Sequence, residues 1–370
     1  MQKMVQAEQT LLLEGTLYHY PDITRLARQY QDEESFRGDL WRFLAEWFDE
    51  KETVAGMTSG STGTPKEMPL EKSRMRYSAG LTCSFLGLKP GDTALLAMPL
   101  QYVGSKMMVV RALVTGLDLR YVTPSSRPLR EDRPAPDFAA MTPMQVAATL
   151  EHPDEAGRLR RIRHLIIGGG AINAWLKERL LDFPLAVWST YGMTETLSHI
   201  ALRRLNGPEA SDWYTPFHGV GLSLSPEGTL VIDTPRLCAG QLVTNDIAEF
   251  NRDGRFRILG RKDNVINSGG VKVQIEVAEE MLRPHIAWPF MITSAPDAIK
   301  GDQVVLLIEG ETSPELLSAC KSVLPRYWAP VHALPVKSLP LTGSGKPDRA
   351  AAKRMAKDLL FNGKGGYCGE

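Results

Sequence analysis

Between residues 71 and about 260, short apolar runs that end in turn residues alternate with stretches of helical periodicity. "TALLAMP" (93–99), "LDLRYVT" (117–123), "RHLIIGG" (163–169) and "LAVWSTYG" (185–192) read as strands. Stretches near 71–86, 104–115, 143–151 and 173–182 read as the helices between them. Strands that alternate with helices form an α/β layer fold with at least partly parallel strands, because parallel neighbours need a crossover connection. The Pro- and Arg-rich stretch 124–137 reads as an exposed connection.

The pattern changes at both ends of this region. Upstream, Phe36, Leu40, Phe43, Leu44 and Trp47 recur at helical spacing and predict an amphipathic helix packed on the main body. From 219 to 260, "GTLVIDT", "GQLVTND" and "GRFRILG" predict a small, mostly antiparallel subdomain. A boundary follows near 260–264. Beyond it come a strand-like "NVINSGG", a helix over about 276–283, the strand "DQVVLLIEG", a helix near 313–324 and a last helix from about 350. The expected division is a large domain over 1–261 and a small α+β domain over 262–370, long enough to stand alone.

Charge excludes some partners. Lys plus Arg and Asp plus Glu number 43 each, so net charge gives no reason to expect nucleic acid or an anionic membrane. Four scattered cysteines without a CxxC pair argue against a disulfide framework or structural zinc and fit a reducing cytoplasm. No run approaches the roughly 20 apolar residues that span a bilayer, and the opening residues carry no visible signal peptide.

"TSGSTGTPKE" (58–67) carries the first chemistry. Gly60 and Gly63 let backbone N–H groups approach an anion. Ser59, Ser61, Thr62 and Thr64 add hydroxyl donors, and Lys66 adds a charge. This is a polyphosphate cradle. It is not a Walker A loop, which needs Gly-Lys-Ser/Thr after its spacer; here Pro65 stands before Lys66 and no hydroxyl residue follows it. "GSGKPDR" fails too, since Pro347 follows Lys346.

Four more segments follow in order: "STYGMTET" (189–196), "TND" (244–246), "GRKDNVINSGGVKVQIEVAEEML" (260–282) and "LPLTGSGKPDR" (339–349). With the loop at 58 they resemble the motifs of the acyl-adenylate-forming superfamily, which includes acyl- and aryl-CoA ligases, peptide-synthetase adenylation domains and luciferases. The resemblance spans 58–349, with one departure: Asn245 stands where the superfamily has glycine.

That resemblance implies a set of roles. ATP lies against Thr58, Ser59, Gly60, Ser61, Thr62, Gly63, Thr64 and Lys66, with Gly168, Gly169 and Gly170 lining the adenine and acyl pocket. Tyr191 stacks on adenine, followed by Gly192. Asp246 and Arg261 hold the ribose. Glu195, with Thr62, holds Mg²⁺, and Thr194 donates to phosphate or acyl carboxylate. Lys346 brings an ammonium to the charge that builds at the α-phosphorus. The small domain pivots at Asp263, after which Gly269 and Gly270 leave room for the pantetheine arm of coenzyme A.

The acid is less constrained. "MPLQYVGSKMMVVRALVTG" (98–116) resembles the acyl-pocket strand and helix, though Gln101-Tyr102 replaces the aromatic-His pair of many ligases. Tyr102, Val103 and Gly104 (and Met107) would form a flat slot, and Lys106 or Arg111 the charge for a second carboxylate; His199 and His218 lie near these segments. The short front section is similar to that of minimal o-succinylbenzoate–CoA ligases of menaquinone biosynthesis. That resemblance implies a small-molecule carboxylic acid, ATP and CoA as partners. Another aryl or short-chain acid, a carrier-protein acceptor, or a non-catalytic nucleotide-binding regulator remain open alternatives.

Overall fold

A computed structural model describes residues 10–57, 67–170, 172–238, 240–342 and 347–362. The first of two compact units comprises Met1–Gly221, Ile232–Leu242 and Arg252–Phe256. Its framework is a nine-stranded sheet in the order Thr215–Pro216, His199–Arg204, Ala186–Gly192, His164–Ile167, Phe138–Met141, Thr93–Leu96, Asp118–Tyr121, Thr10–Leu13, Thr16–His19. From Ala186–Gly192 through to Thr10–Leu13 every neighbouring pair is parallel, and antiparallel strands close both ends. The expected α/β layering is therefore what the chain forms.

The central strands read as continuous apolar runs because both faces are covered. Successive residues go to opposite faces: Ala94, Leu96, Phe138, Ala140 and Ile166 join one core, whereas Leu95, Ala139, Met141, Leu165 and Ile167 join the other. The first core takes in the helix Phe36–Phe48, whose five expected apolar residues are all buried, together with Trp41 and Phe48. Ser35 caps that helix by accepting a bond from the Gly38 N–H. The helices Lys72–Leu86 and Val103–Thr115 lie on the same side, and each ends at a left-handed glycine, Gly87 or Gly116. The connection at 124–137, expected to be exposed, is only half so, with Pro128, Leu129 and Pro136 buried, and it is pinned. Arg158 donates to the carbonyls of Leu129 and Arg130, and Arg127 pairs with Glu155.

The second unit comprises Leu222–Val231, Val243–Asn251 and Arg257–Glu370. A separate four-stranded sheet, ordered Gly221–Leu224, Thr229–Asp233, Gln241–Phe250, Phe256–Arg261, contains the three runs expected between 219 and 260. A further sheet of five strands follows. In it Val265–Ser268 pairs antiparallel with both Val271–Gln274 and Gly301–Ile308, and the latter with Phe290–Asp297. His332–Pro335 adds in parallel. The helices Ile275–Leu282, Pro314–Val323 and Arg349–Lys357 cover it, an α+β arrangement as expected.

Candidate active site

Within the first unit, four adjacent parallel strands bring their carboxyl ends to one edge of the sheet. Thr93–Leu96 leads to the acyl-pocket candidates Tyr102, Val103 and Gly104. His164–Ile167 leads to Gly168–Gly170. Ala186–Gly192 carries Tyr191 and Gly192 and runs into a short 3₁₀ turn, Thr194–Thr196, that holds Thr194 and Glu195. Phe138–Met141, between them, opens a helix through a Thr142/Gln145 capping box. Ligands of open α/β sheets bind outside the carboxyl ends of the strands, so segments far apart in sequence share one place suited to binding. The strands Thr53–Met57 and Glu67–Glu71 flank the hydroxyl-rich loop, and Met57 pairs with both Glu67 and Tyr102. Both ends of that loop are therefore anchored at this same edge. Thr58, Ser59, Gly60, Ser61, Thr62, Gly63, Thr64 and Lys66 themselves lie outside the described residues, as does Lys346.

Two glycines here are dictated by close neighbours, backbone at Gly192 and a side chain at Gly168. A Cβ on Gly192 would sit 2.3 Å from the Ser198 carbonyl oxygen and 2.4 Å from the His199 Cα, where the chain returns as the antiparallel strand His199–Arg204. One on Gly168 would sit 2.4 Å from the Thr190 Oγ1 of the neighbouring strand. Gly170 has ordinary room, its Cβ position lying 3.5 Å from Pro143. Tyr191 is half-buried, edge-on to Phe256 with ring centroids 5.2 Å apart. After the 3₁₀ turn, Leu197 is buried at φ +64°, a left-handed conformation costly for a branched side chain. Thr196 pins this turn by donating to carbonyls of Met193 and Ser198 and accepting from the Met193 N–H.

The strained turn delivers Ser198 to a buried cation. Arg111 is 1% exposed and donates to Ser198 Oγ at 2.8 Å. Among the described residues it has no carboxylate partner, and its Nε has no hydrogen-bond partner. Burial lowers its pKa to about 10. Lys106, one and a half turns earlier on the same helix, is placed differently. It too is buried rather than on the surface, but it donates to the Ala55 carbonyl at 2.5 Å and lies 3.7 Å from Glu46. Its ammonium is thus already occupied against the helix Phe36–Phe48. His199 is buried between Ser198 Oγ (3.2 Å from Nδ1) and Thr82 Oγ1 (3.0 Å from Nε2), and burial pushes its pKa well down.

The second unit holds the other polar candidates. Arg261 grips Asp263 with two bonds of 2.8 Å and approaches Asp246 to 3.5 Å. The bonds from Arg261 hold the Asp263 carboxyl below the usual carboxylate range, and Asn245 adds another. Gly269 and Gly270 form the two-residue connection between Val265–Ser268 and Val271–Gln274, both at positive φ, as a tight hairpin demands. The ends of 343–346 are fixed: Leu341 pairs with Pro347, Asp348 caps the last helix, and Arg349 binds Glu279 with two bonds of 2.5 and 2.7 Å.

The AMP-binding enzyme family matches residues 15–237. The chain belongs to this family. A 2-succinylbenzoate–CoA ligase of Bacillus cereus (strain AH820) is 25% identical to this AMP-binding enzyme over 338 residues, covering 82% of this chain and 70% of the relative. Among solved structures, the acyl-CoA synthetase (AMP-forming)/AMP-acid ligase II-like protein of Dyadobacter fermentans is 31% identical, with a TM-score of 0.62 over 89% of this chain and 97% of that one. The o-succinylbenzoate coenzyme A synthetase of Bacillus subtilis, solved with ATP and a magnesium ion, shares the fold at 18% identity, with a TM-score of 0.70 over 94% and 97% of the two chains. The superfamily resemblance read from the five motifs is borne out.

Glu195 is exposed on its turn, and among the described residues no group of three or more His, Cys, Asp or Glu could hold a metal ion. A Mg²⁺ ion that arrives on a nucleotide needs only one or two protein carboxylates, so a single acid here fits that demand. Sequence reading missed Ser198 and Thr82. Nothing in "LSHI" or "GLTCS" marks a hydroxyl that meets a residue scores of positions away. No helix of the described residues is long and apolar enough to cross a membrane.

Proposed function

We propose that this enzyme is an acid–thiol ligase. It joins a carboxylate to AMP and passes the acyl group to coenzyme A, with o-succinylbenzoate as the acid, in the menaquinone biosynthesis of a cytoplasm. The carrying observation is the shared edge of the sheet, where the acyl-pocket helix, the glycine turn, the aromatic-Gly-x-Thr-Glu segment and both ends of the hydroxyl-rich loop emerge together.

In the first half-reaction a carboxylate oxygen bonds to the α-phosphorus of ATP and the bond to the bridging oxygen breaks, releasing pyrophosphate. In the second, a thiolate attacks the acyl carbon and AMP leaves. Thr58–Thr64 and Lys66 cradle the phosphates, and Tyr191 with Gly168–Gly170 forms the adenine slot. Asp246 accepts from the ribose hydroxyls beside Arg261. Glu195 and Thr62 would hold Mg²⁺, which would offset phosphate charge. Thr194 donates to the acyl carboxylate, and Lys346 stabilises charge at the α-phosphorus. Residues 262–370 turn at Asp263, whose two exposed bonds to Arg261 break cheaply in water. Gly269 and Gly270 then admit the pantetheine arm.

The names of the curated relatives favour o-succinylbenzoate. So does Arg111, a buried cation without a described counter-charge, which suits the ring carboxylate that is not activated. Tyr102, Val103 and Gly104 suit the ring. Lys106, held by Ala55 and Glu46, leaves that charge to Arg111.

Pyrophosphate release with Mg²⁺, ATP and a panel of carboxylic acids tests this reading. Release should be greatest with o-succinylbenzoate, and free CoA should then yield the thioester. Preference for another acid overturns the substrate, thioester formation only on a holo-carrier overturns the acceptor, and ATP binding without turnover on any acid leaves a regulator. Lys346→Ala should abolish adenylate formation yet spare thioester formation from pre-made adenylate.

A further inference from the structure

We infer that His199, through Ser198, is a positioning residue that aims the Arg111 guanidinium at the acid substrate; this rests on the reading that Arg111 takes the spare carboxylate. The polarity of the chain follows from chemistry. Arg111 can only donate, so Ser198 Oγ accepts from it at 2.8 Å. The Ser198 hydroxyl proton is then free to point at His199 Nδ1, 3.2 Å away. In that arrangement the imidazole proton is on Nε2, which donates to Thr82 Oγ1 at 3.0 Å. Thr82 donates its own proton to the Ser78 carbonyl at 3.3 Å. The reverse arrangement, Nδ1–H donating to Ser198 Oγ and Thr82 donating to Nε2, would leave the Ser78 carbonyl without its bond from Thr82; the groups lie on the helices Lys72–Leu86 and Val103–Thr115 and at the start of the strand His199–Arg204. Phe217 packs edge-on against the imidazole at 5.5 Å and closes the remaining side.

Two independent features point to a use beyond packing. The left-handed Leu197 is a strained conformation whose consequence is to turn Ser198 toward Arg111. The same turn carries Thr194 and Glu195, so the anchor for the acid and the groups for the nucleotide are set by one short segment. Arg111 has no second side-chain partner among the described residues to fix its plane. A guanidinium binds a carboxylate well only when its planar fork is correctly oriented. Ser198, itself oriented by a histidine in one tautomer, supplies that orientation.

The test compares His199→Leu and His199→Gln with wild type. Two acids are used, o-succinylbenzoate and benzoylpropionate, the same acid without its ring carboxylate. His199→Leu should raise KM for o-succinylbenzoate about tenfold, the size of one lost buried hydrogen bond. kcat, KM for ATP and the kinetics with benzoylpropionate should stay as in wild type. Glutamine, which can both accept and donate, should restore most of the loss. Equal damage with both acids, or a raised KM for ATP, would reduce His199 to packing and overturn the inference. ¹⁵N NMR of the His199 ring gives an arm that needs no substrate: the Nε2–H tautomer is expected, and Nδ1–H would refute the chain. If wild-type enzyme ignores o-succinylbenzoate, the substrate reading fails on its own, and the positioning chain is then decided by the tautomer alone: Nε2–H upholds it and Nδ1–H overturns it.

Discussion

Replacing Arg111 with methionine should separate stability from function in opposite directions. The guanidinium is 1% exposed, has one side-chain hydrogen bond and faces no described carboxylate. Burial lowers its pKa to about 10, which corresponds to roughly 3 kcal/mol against the charged form. Methionine keeps much of the volume, and Ser198 keeps His199 as its hydrogen-bond acceptor. The variant should therefore be more stable by about 1–3 kcal/mol, as when buried charges give way to apolar side chains. Denaturation at neutral pH measures this, and the midpoint temperature should rise by a few degrees. The same variant should bind o-succinylbenzoate about 10–100-fold more weakly, since a charge-assisted bond contributes about 1.5–3 kcal/mol, with KM for ATP unchanged. Breaking a compensated buried pair instead costs about 3–5 kcal/mol, so a destabilisation of that size would reveal a counter-charge and refute the reasoning.

Gly192→Ala should cost about 3 kcal/mol, because the new methyl meets backbone at 2.3 and 2.4 Å that no rotamer change can move; Gly170→Ala should leave the melting temperature within a degree or so. Stability should fall as pH drops below about 6.5, by up to ~1.4 kcal/mol per pH unit. The His199 pKa is lowered by burial and then by Arg111, so the unfolded chain takes up the proton first. His199→Gln should flatten that part of a denaturation-versus-pH curve. Arg349→Met should leave the largely buried Glu279 carboxylate without its cation and cost ~3 kcal/mol. Hydrogen exchange should then quicken through the helix Arg349–Lys357, and unchanged protection there would show that the pair anchors nothing.

The central strands were legible because a strand buried on both faces is apolar throughout, as in "TALLA" and "HLII". Phe138–Met141 was not. It has only four residues, directly after a Pro-rich connection, too short to show a period. Thr10–Leu13 and Thr16–His19 escaped notice because their hairpin turns on Glu14-Gly15, both at positive φ, and Glu14 carries no turn signal. The helix Tyr20–Tyr30 buries only Ile23 and Ala27, so most of its sequence reads as polar. At the site, the order of motifs was readable, since each is a local run. Which of Lys106 and Arg111 has a partner was not. They sit five positions apart on one helix, and only the fold decides that one meets Glu46 and the other Ser198.

The most direct measurement is to incubate the purified enzyme with Mg²⁺, ATP, CoA and o-succinylbenzoate and to identify the products by mass. An o-succinylbenzoyl-CoA thioester and AMP in equal amounts, both absent when Lys346 is alanine, are the predicted result. Unchanged acid beside intact CoA, with wild-type enzyme that still binds ATP, would contradict it.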